Sequence, residues 1–191
     1  DALLALLLGA VSALGAALGA SPSVVALSGA ILVVPGLSMT TALAELASGH
    51  WTAGGSRLLG TALVLAQLAG EGHRLFAFSN GAKAHVQASL AKAEISDWFE
   101  GVVSAEEVRV FKPSPAVYAH FLRSTGGLVG HSWLVSSNPF DVIGARSAGM
   151  QAAWVKRDAN AVYDPWDIAP SVCVKSLAEL PAQLAERDVS E

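Results

Sequence analysis

The chain has 191 residues, 52% of them hydrophobic, and its 12 Lys and Arg stand against 16 Asp and Glu for a net charge of −4 at pH 7. That length is enough to bury the core of one domain or one and a half, and the acidic balance offers no basic stripe to neutralise phosphates, which argues against a nucleic-acid partner. The lone Cys173 excludes an internal disulfide and a cysteine-based metal site.

Charge is spread unevenly: residues 1–70 hold only Asp1, Glu45 and Arg57, and the other 25 of the 28 charged side chains follow. Residues 2–20 carry no charge and are long enough to cross a hydrocarbon layer as a helix. A second apolar stretch, Val24 to Leu46, is interrupted at Pro35-Gly36, and a third, Leu58 to Leu68, is too short to span unaided. Small residues recur throughout, as they do where membrane helices pack closely. No positive segment precedes the first stretch, which disfavours a signal peptide, and Asp1 in place of Met reads as a truncated start. Two accounts stand, membrane-derived helices and Ala- and Gly-rich helices packed in a core, of which the first is the expectation taken here.

From Glu71 the pattern becomes short apolar runs alternating with amphipathic stretches, the signature of strands joined by helices in an α/β sheet. Strands are predicted at Leu75–Phe78, Gly101–Val103, Trp133–Val135, Ala152–Val155 and Val172–Val174. Helices are predicted at Ala82–Lys92, Pro115–Ser124, Val142–Ala148 and Leu177–Glu186. Cys173 falls in the last strand, where it is expected to be a buried small hydrophobe. The expected organisation is therefore an apolar helical segment over residues 1–70 and an α/β unit over 71–191, joined at Gly70-Glu71-Gly72 with almost no spacer.

In such a sheet, ligands sit beyond the carboxyl ends of the strands, and three motifs fall there. Ser79-Asn80-Gly81 ends one strand, Lys112-Pro113 precedes a helix, and Ser136-Ser137-Asn138-Pro139-Phe140-Asp141 ends another. A Ser hydroxyl with free backbone N–H groups can hold a carboxylate or phosphate oxygen, and Gly81 permits a tight turn. Taken singly, each has a plainer account: turn chemistry for Ser79 to Gly81, a solvated charge for Lys112, and a carboxylate favouring the helix dipole for Asp141. The histidines, His50, His73, His85, His120 and His131, share no metal-ligand spacing and are expected to be surface or packing residues.

Two resemblances follow from these words. Val34-Pro35-Gly36-Leu37-Ser38-Met39-Thr40-Thr41-Ala42, with Glu45 to His50 and Gly55 to Leu58, is similar to the membrane part of the threonine/serine exporter family. It covers most of residues 1–70 and implies a fragment unable to transport alone. The three motifs in order, with Phe111 to Tyr118 and Asp141 to Ala145 around them, resemble the haloacid dehalogenase superfamily and, within it, the type II 2-haloacid dehalogenases over roughly residues 72–185.

The second resemblance implies a Rossmann-like parallel sheet and a division of roles. Ser79 and Asn80 would hold a substrate carboxylate, with Gly81 shaping the turn. Lys112 would pair with a nucleophilic aspartate and steady developing negative charge. Ser136, Ser137 and Asn138 would support that pair, Asp141 would orient the water-handling network, Tyr118 would support Lys112, and Phe140 would line an apolar wall. The implied reaction is displacement of halide from a short 2-haloalkanoic acid by an aspartate, then hydrolysis of the ester to a 2-hydroxy acid. No cofactor or metal is implied in this branch, and the dehalogenase-like part would be cytoplasmic.

The family's opening strand with its aspartate, and the helical cap after it, have no counterpart in residues 1–70. Ile31-Leu32-Val33-Val34 is the candidate for the missing central strand, with Pro35-Gly36 then standing where the nucleophile belongs. The expectation is a chain without turnover, an inactive chimera of two neighbouring genes. Membrane association and self-association are expected through the apolar surface of residues 1–70.

Overall fold

The computed structural model describes the backbone of residues 31–34 and 51–188 and the side chains of residues 60–186. Among the described residues six strands form one sheet: β1 Ile31–Val34, β2 Arg74–Ser79, β3 Gly101–Ser104, β4 Ser132–Ser136, β5 Gln151–Val155 and β6 Val172–Val174. Their order is β3-β2-β1-β4-β5-β6, and every pair is parallel. The helices are α1 Trp51–Gly70, α2 Lys83–Lys92, α3 Pro115–Thr125, α4 Pro139–Ser147 and α5 Leu180–Asp188.

A parallel sheet must be covered on both faces, so its strands read as continuous apolar runs with alternate residues in opposite cores. One core holds Leu75 and Ala77 of β2, Trp133 and Val135 of β4, and Ala153 and Val155 of β5, covered by Leu65 and Leu68 of α1 with Leu180 and Leu184 of α5. The other holds Phe76 and Phe78, Leu134, Ala152 and Trp154, covered by Val117, Tyr118 and Phe121 of α3 and by Val142 and Ala145 of α4. In this second core Phe78 lies between Tyr118 and Phe121, with ring centroids at 5.9 and 4.8 Å.

β1 takes the central place expected for Ile31 to Val34. It is in register with β2 from Ile31 opposite Arg74 to Val34 opposite Ala77, and with β4 from Ile31 opposite Ser132 to Val33 opposite Leu134. The sequence continues into Pro35-Gly36, which lies outside the described residues, as do the apolar residues 2–20, 24–30 and 35–46. Among the described residues, no helix is long and apolar enough to cross a membrane.

Two helix starts shift by three residues and one burial differs from expectation. Helix α4 starts at Pro139, not Val142, because a proline's fixed φ suits the first helical turn and its missing N–H costs nothing there. The last helix begins at Leu180, after a 3-10 turn over Leu177–Glu179. Cys173 is exposed, not buried: Val172 and Val174 point into the first core, so the intervening thiol faces the other side of an edge strand.

Candidate active site at the carboxyl ends of β2 and β4

Ser79 is the last residue of β2 and Ser136 the last of β4, and both strands pair with β1. The chain crosses over between these neighbours, which is where open α/β sheets form their ligand crevice. Loops from β2, β3 and β4 converge on it.

The β2 loop is a local turn braced from the side. Ser79 Oγ accepts from the Gly81 N–H at 3.0 Å, and the Gly81 carbonyl accepts from Ser104 Oγ at 2.8 Å. A Cβ at Gly81 would stand 3.4 Å from Ser79 Oγ, at the edge of ordinary van der Waals contact. Asn80 turns towards the next loop, its Oδ1 accepting from the Lys112 N–H at 2.8 Å. Ser104 is fully buried and also accepts from the Glu106 N–H at 3.1 Å, capping the 3-10 turn at Ala105–Val108. Its role was not read from the sequence; the signal available was a Ser closing a strand just before two acidic residues, an N-cap pattern.

Lys112, thus anchored through its backbone, sends its side chain into the crevice. Its Nζ donates to Asp141 Oδ2 at 3.2 Å and to the Phe78 carbonyl at 3.4 Å, and sits 4.9 Å from the Phe78 ring centroid. The side chains of Lys112 and Asp141 are only 8% and 11% exposed, which makes this a buried pair. Such a pair survives desolvation only if further hydrogen bonds satisfy it. Ser136 Oγ supplies one, donating to the same Oδ2 at 3.1 Å, and accepts from the Asn138 N–H at 3.1 Å. An ammonium has three hydrogens, and the two protein acceptors account for two of them.

Asp141 is placed by α4, whose first turn it occupies. Tyr118, expected to support Lys112, instead donates its hydroxyl to the Asp141 carbonyl at 3.0 Å and so holds the backbone of the partner carboxylate. Burial, and then the Asp141 charge, push the Tyr118 hydroxyl far above its ordinary range, so it remains a donor. It reaches α4 because residue 144 is glycine: a Cβ there would collide with the tyrosine hydroxyl. Asn138 is the residue before α4, and Ser137 is bound through its carbonyl, which accepts from Trp154 Nε1 at 3.2 Å. Phe140, expected to form an apolar wall, is 41% exposed, as are its apolar companions Val110 (38%) and Phe111 (69%) on the Lys112 loop.

The structure thus brings Lys112, Ser136, Asp141 and Tyr118 into one connected network, with Asn80 linked through the Lys112 backbone. Chemically, this is a fixed ammonium beside a hydroxyl-supported carboxylate, an arrangement that can stabilise negative charge. Among the described residues no group of three or more His, Cys, Asp or Glu could hold a metal ion.

A profile of the haloacid dehalogenase-like hydrolase family matches residues 55–155, and a profile of the putative threonine/serine exporter family matches residues 1–70. The two overlap on the described helix α1. The (S)-2-haloacid dehalogenase 2 of Pseudomonas sp. (strain CBS-3) is 36% identical over 103 residues, covering 54% of this chain and 44% of the relative. The (S)-2-haloacid dehalogenase of Pseudomonas putida is 31% identical over 120 residues, covering 63% and 52%. The chain spans about half the length of these relatives. A solved structure of L-2-haloacid dehalogenase from Xanthobacter autotrophicus, with chloropropionic acid covalently bound, superposes with a TM-score of 0.62 at 32% identity, covering 65% of this chain and 59% of that one.

Proposed function

The chain belongs to the haloacid dehalogenase-like hydrolase family, and from that premise we propose that its crevice is a site of the 2-haloacid dehalogenase type, which binds short 2-haloalkanoic acids but does not turn them over in this chain. The observation that carries the reading is the buried Lys112 ammonium, fixed 3.2 Å from Asp141 where β2 and β4 flank β1.

In the reaction of this type, an aspartate oxygen forms a bond to C2 as the carbon–halogen bond breaks and halide leaves with the electron pair. Water then adds to the aspartyl carbonyl of the ester, releasing the 2-hydroxy acid, and a proton goes to solvent. The residues here supply the surroundings of that step. Ser79 and Asn80 hold the substrate carboxylate, while Lys112 is placed to stabilise negative charge that develops beside it. Asp141, held by Ser136 and Tyr118, keeps the ammonium aimed and orients water. Ser137 and Asn138 shape the turn, and Phe140 gives the crevice an apolar edge.

The attacking group is what this sequence does not provide. β1 ends at Val34 and the sequence runs on as Pro35-Gly36, with no carboxylate. Asp141 does not take that place: it lies in the first turn of α4, not at the end of the central strand. Removing the nucleophile alone from a covalent catalytic unit costs several orders of magnitude in rate.

Titration of L-2-chloropropionate into the chain, with halide release followed in parallel, tests both halves. Binding that is lost in Lys112→Ala and weakened in the milder Ser79→Ala, without halide release, is the expected result. Absence of binding would overturn the assignment of the site, and Lys112-dependent halide release would overturn the absence of turnover.

A second reading is a fragment of a threonine/serine exporter-type transporter carrying the hydrolase-like part as a passenger; the match over residues 1–70 favours it. It predicts recovery of the full chain in the detergent phase, with membrane association through those residues.

A further inference from the structure

We propose that Trp154 is a positioning residue for this site, holding the Ser136-Ser137-Asn138 turn in place through the hydrogen bond from its indole to the Ser137 carbonyl. The inference rests on the site reading above for its consequence in ligand binding, but not for the positioning itself.

β4 and β5 run in register with Ser136 opposite Trp154, so the indole lies beside the point where β4 ends and the turn begins. The side chain is 6% exposed, and its Nε1 donates to the Ser137 carbonyl at 3.2 Å. A residue later, the Asn138 N–H returns to Ser136 Oγ at 3.1 Å, and that same hydroxyl donates to Asp141 Oδ2 at 3.1 Å. The indole therefore fixes the middle of a three-residue turn whose first residue, Ser136, holds the carboxylate paired with Lys112 and whose last, Asn138, donates back to that same hydroxyl. Loss of the donor frees the Ser137 carbonyl to rotate and loosens the Asn138 N–H bond before it disturbs the core.

The indole is itself held on two sides. Tyr163 packs edge-on against it, with ring centroids 5.0 Å apart, and Lys156 Nζ stands 5.6 Å from its centroid. Both come from the segment after β5. A ring with one edge fixed by an aromatic contact and one atom tied by a hydrogen bond has little rotational freedom. Phenylalanine at 154 would keep the ring contacts and delete only the donor.

The decisive measurement is amide hydrogen exchange at Asn138 in the ligand-free full chain, wild type against Trp154→Phe, with Tyr163→Phe as a ring-preserving control. The positioning role predicts about tenfold faster exchange at Asn138 in Trp154→Phe, with little change at β2 amides and none in the control, in keeping with the net strength of one hydrogen bond. Equal exchange at Asn138 in wild type and Trp154→Phe would overturn it. So would a uniform rise across the sheet, since that is what a merely structural loss produces. If Trp154→Phe does not fold, the wild-type indole N–H is read instead: strong protection from exchange supports the hydrogen bond, and solvent-like exchange overturns it. L-2-chloropropionate titrations are run on the same samples. Weakened binding in Trp154→Phe supports the link to the site, whereas unchanged binding with fast Asn138 exchange limits the role to the turn. Absent binding in the wild type counts against the site reading alone.

Discussion

Lys112 and Asp141, 29 residues apart, form a buried ion pair with Nζ 3.2 Å from Oδ2, and neither side chain is more than 11% exposed. The pair joins the loop before α3 to the first turn of α4, so it ties together the two helices of one face of the sheet as well as two elements of the site. Removing one member strands the other. Lys112→Ala leaves a buried carboxylate answered only by Ser136, and a loss of about 3 kcal/mol in unfolding free energy is expected. Asp141→Asn, which keeps an acceptor for both donors, is expected to cost less. Urea unfolding of the two variants and their double mutant measures the coupling; additive losses would show the pair to be inconsequential.

The proton balance of the neighbouring surface gives a weaker effect of known sign. Glu107, whose Oε1 accepts from Lys83 Nζ at 3.0 Å and whose Oε2 stands 3.1 Å from His120 Nε2, is held below the usual carboxylate range, chiefly by the Lys83 hydrogen bond. A carboxyl group with a lowered folded-state pKa stabilises the fold above its unfolded pKa and loses that contribution as pH falls through the folded value. Glu107→Gln is therefore expected to lower stability slightly at neutral pH and to converge with the wild type as pH falls below about 4.5, which flattens the acid limb of the stability–pH curve. Half-exposed pairs of this kind contribute about half a kcal/mol or less. Thermal melts between acid and neutral pH read the difference between the two curves.

Helix α1 offers a test of which residues complete the sheet's cover. Leu68 is fully buried in the core that also holds Leu180 and Leu184 of α5, whereas Leu63 on the same helix is 63% exposed. Leu68→Ala is expected to cost about 2–5 kcal/mol through lost burial and the cavity left behind; Leu63→Ala is expected to change stability by no more than about 0.5 kcal/mol. Equal small effects in chemical denaturation would mean that α1 is not part of the folded unit.

Much of this architecture was legible because strands and helices here obey simple patterns. Leu75 to Phe78 and Trp133 to Val135 are apolar runs bounded by turn residues, and both became strands whose alternate side chains enter opposite cores. Ile31 to Val34 is legible as the central strand because the resembled fold has a strand there and those four residues are β-branched or apolar. Cys173 departs from the expected burial because a three-residue edge strand has one covered face, and composition does not say which residue meets it. Lys112, Ser136 and Asp141 were visible as ordered motifs, but their mutual distances were not. Nor was the tie between Trp154 and Ser137, which depends on β4–β5 register. Tyr118 meets the Asp141 carbonyl and not Lys112 because the sequence carries only its spacing from Lys112, while the helix crossing that takes it to Asp141 depends on a glycine in α4.

That glycine supplies the last prediction. The Tyr118 hydroxyl occupies the space a Cβ at Gly144 would need, and that Cβ would also stand 2.7 Å from the tyrosine Cζ and Cε2. Gly144→Ala therefore cannot leave Tyr118 where it is. The ring is buried between Phe78 and α4, so it has no free direction in which to yield, and overpacking of this kind costs about 1–3 kcal/mol. Displacing the hydroxyl also removes its bond to the Asp141 carbonyl and loosens the first turn of α4, so binding of L-2-chloropropionate is expected to weaken along with stability. Tyr118→Phe loses the same bond while keeping the ring in place, and it relieves part of the clash. The double variant should thus be less destabilised than the sum of the two single ones. Stabilities from chemical denaturation of the three variants decide it: a double variant worse than the sum would mean that the ring, not the hydroxyl, sets the close approach of α3 and α4.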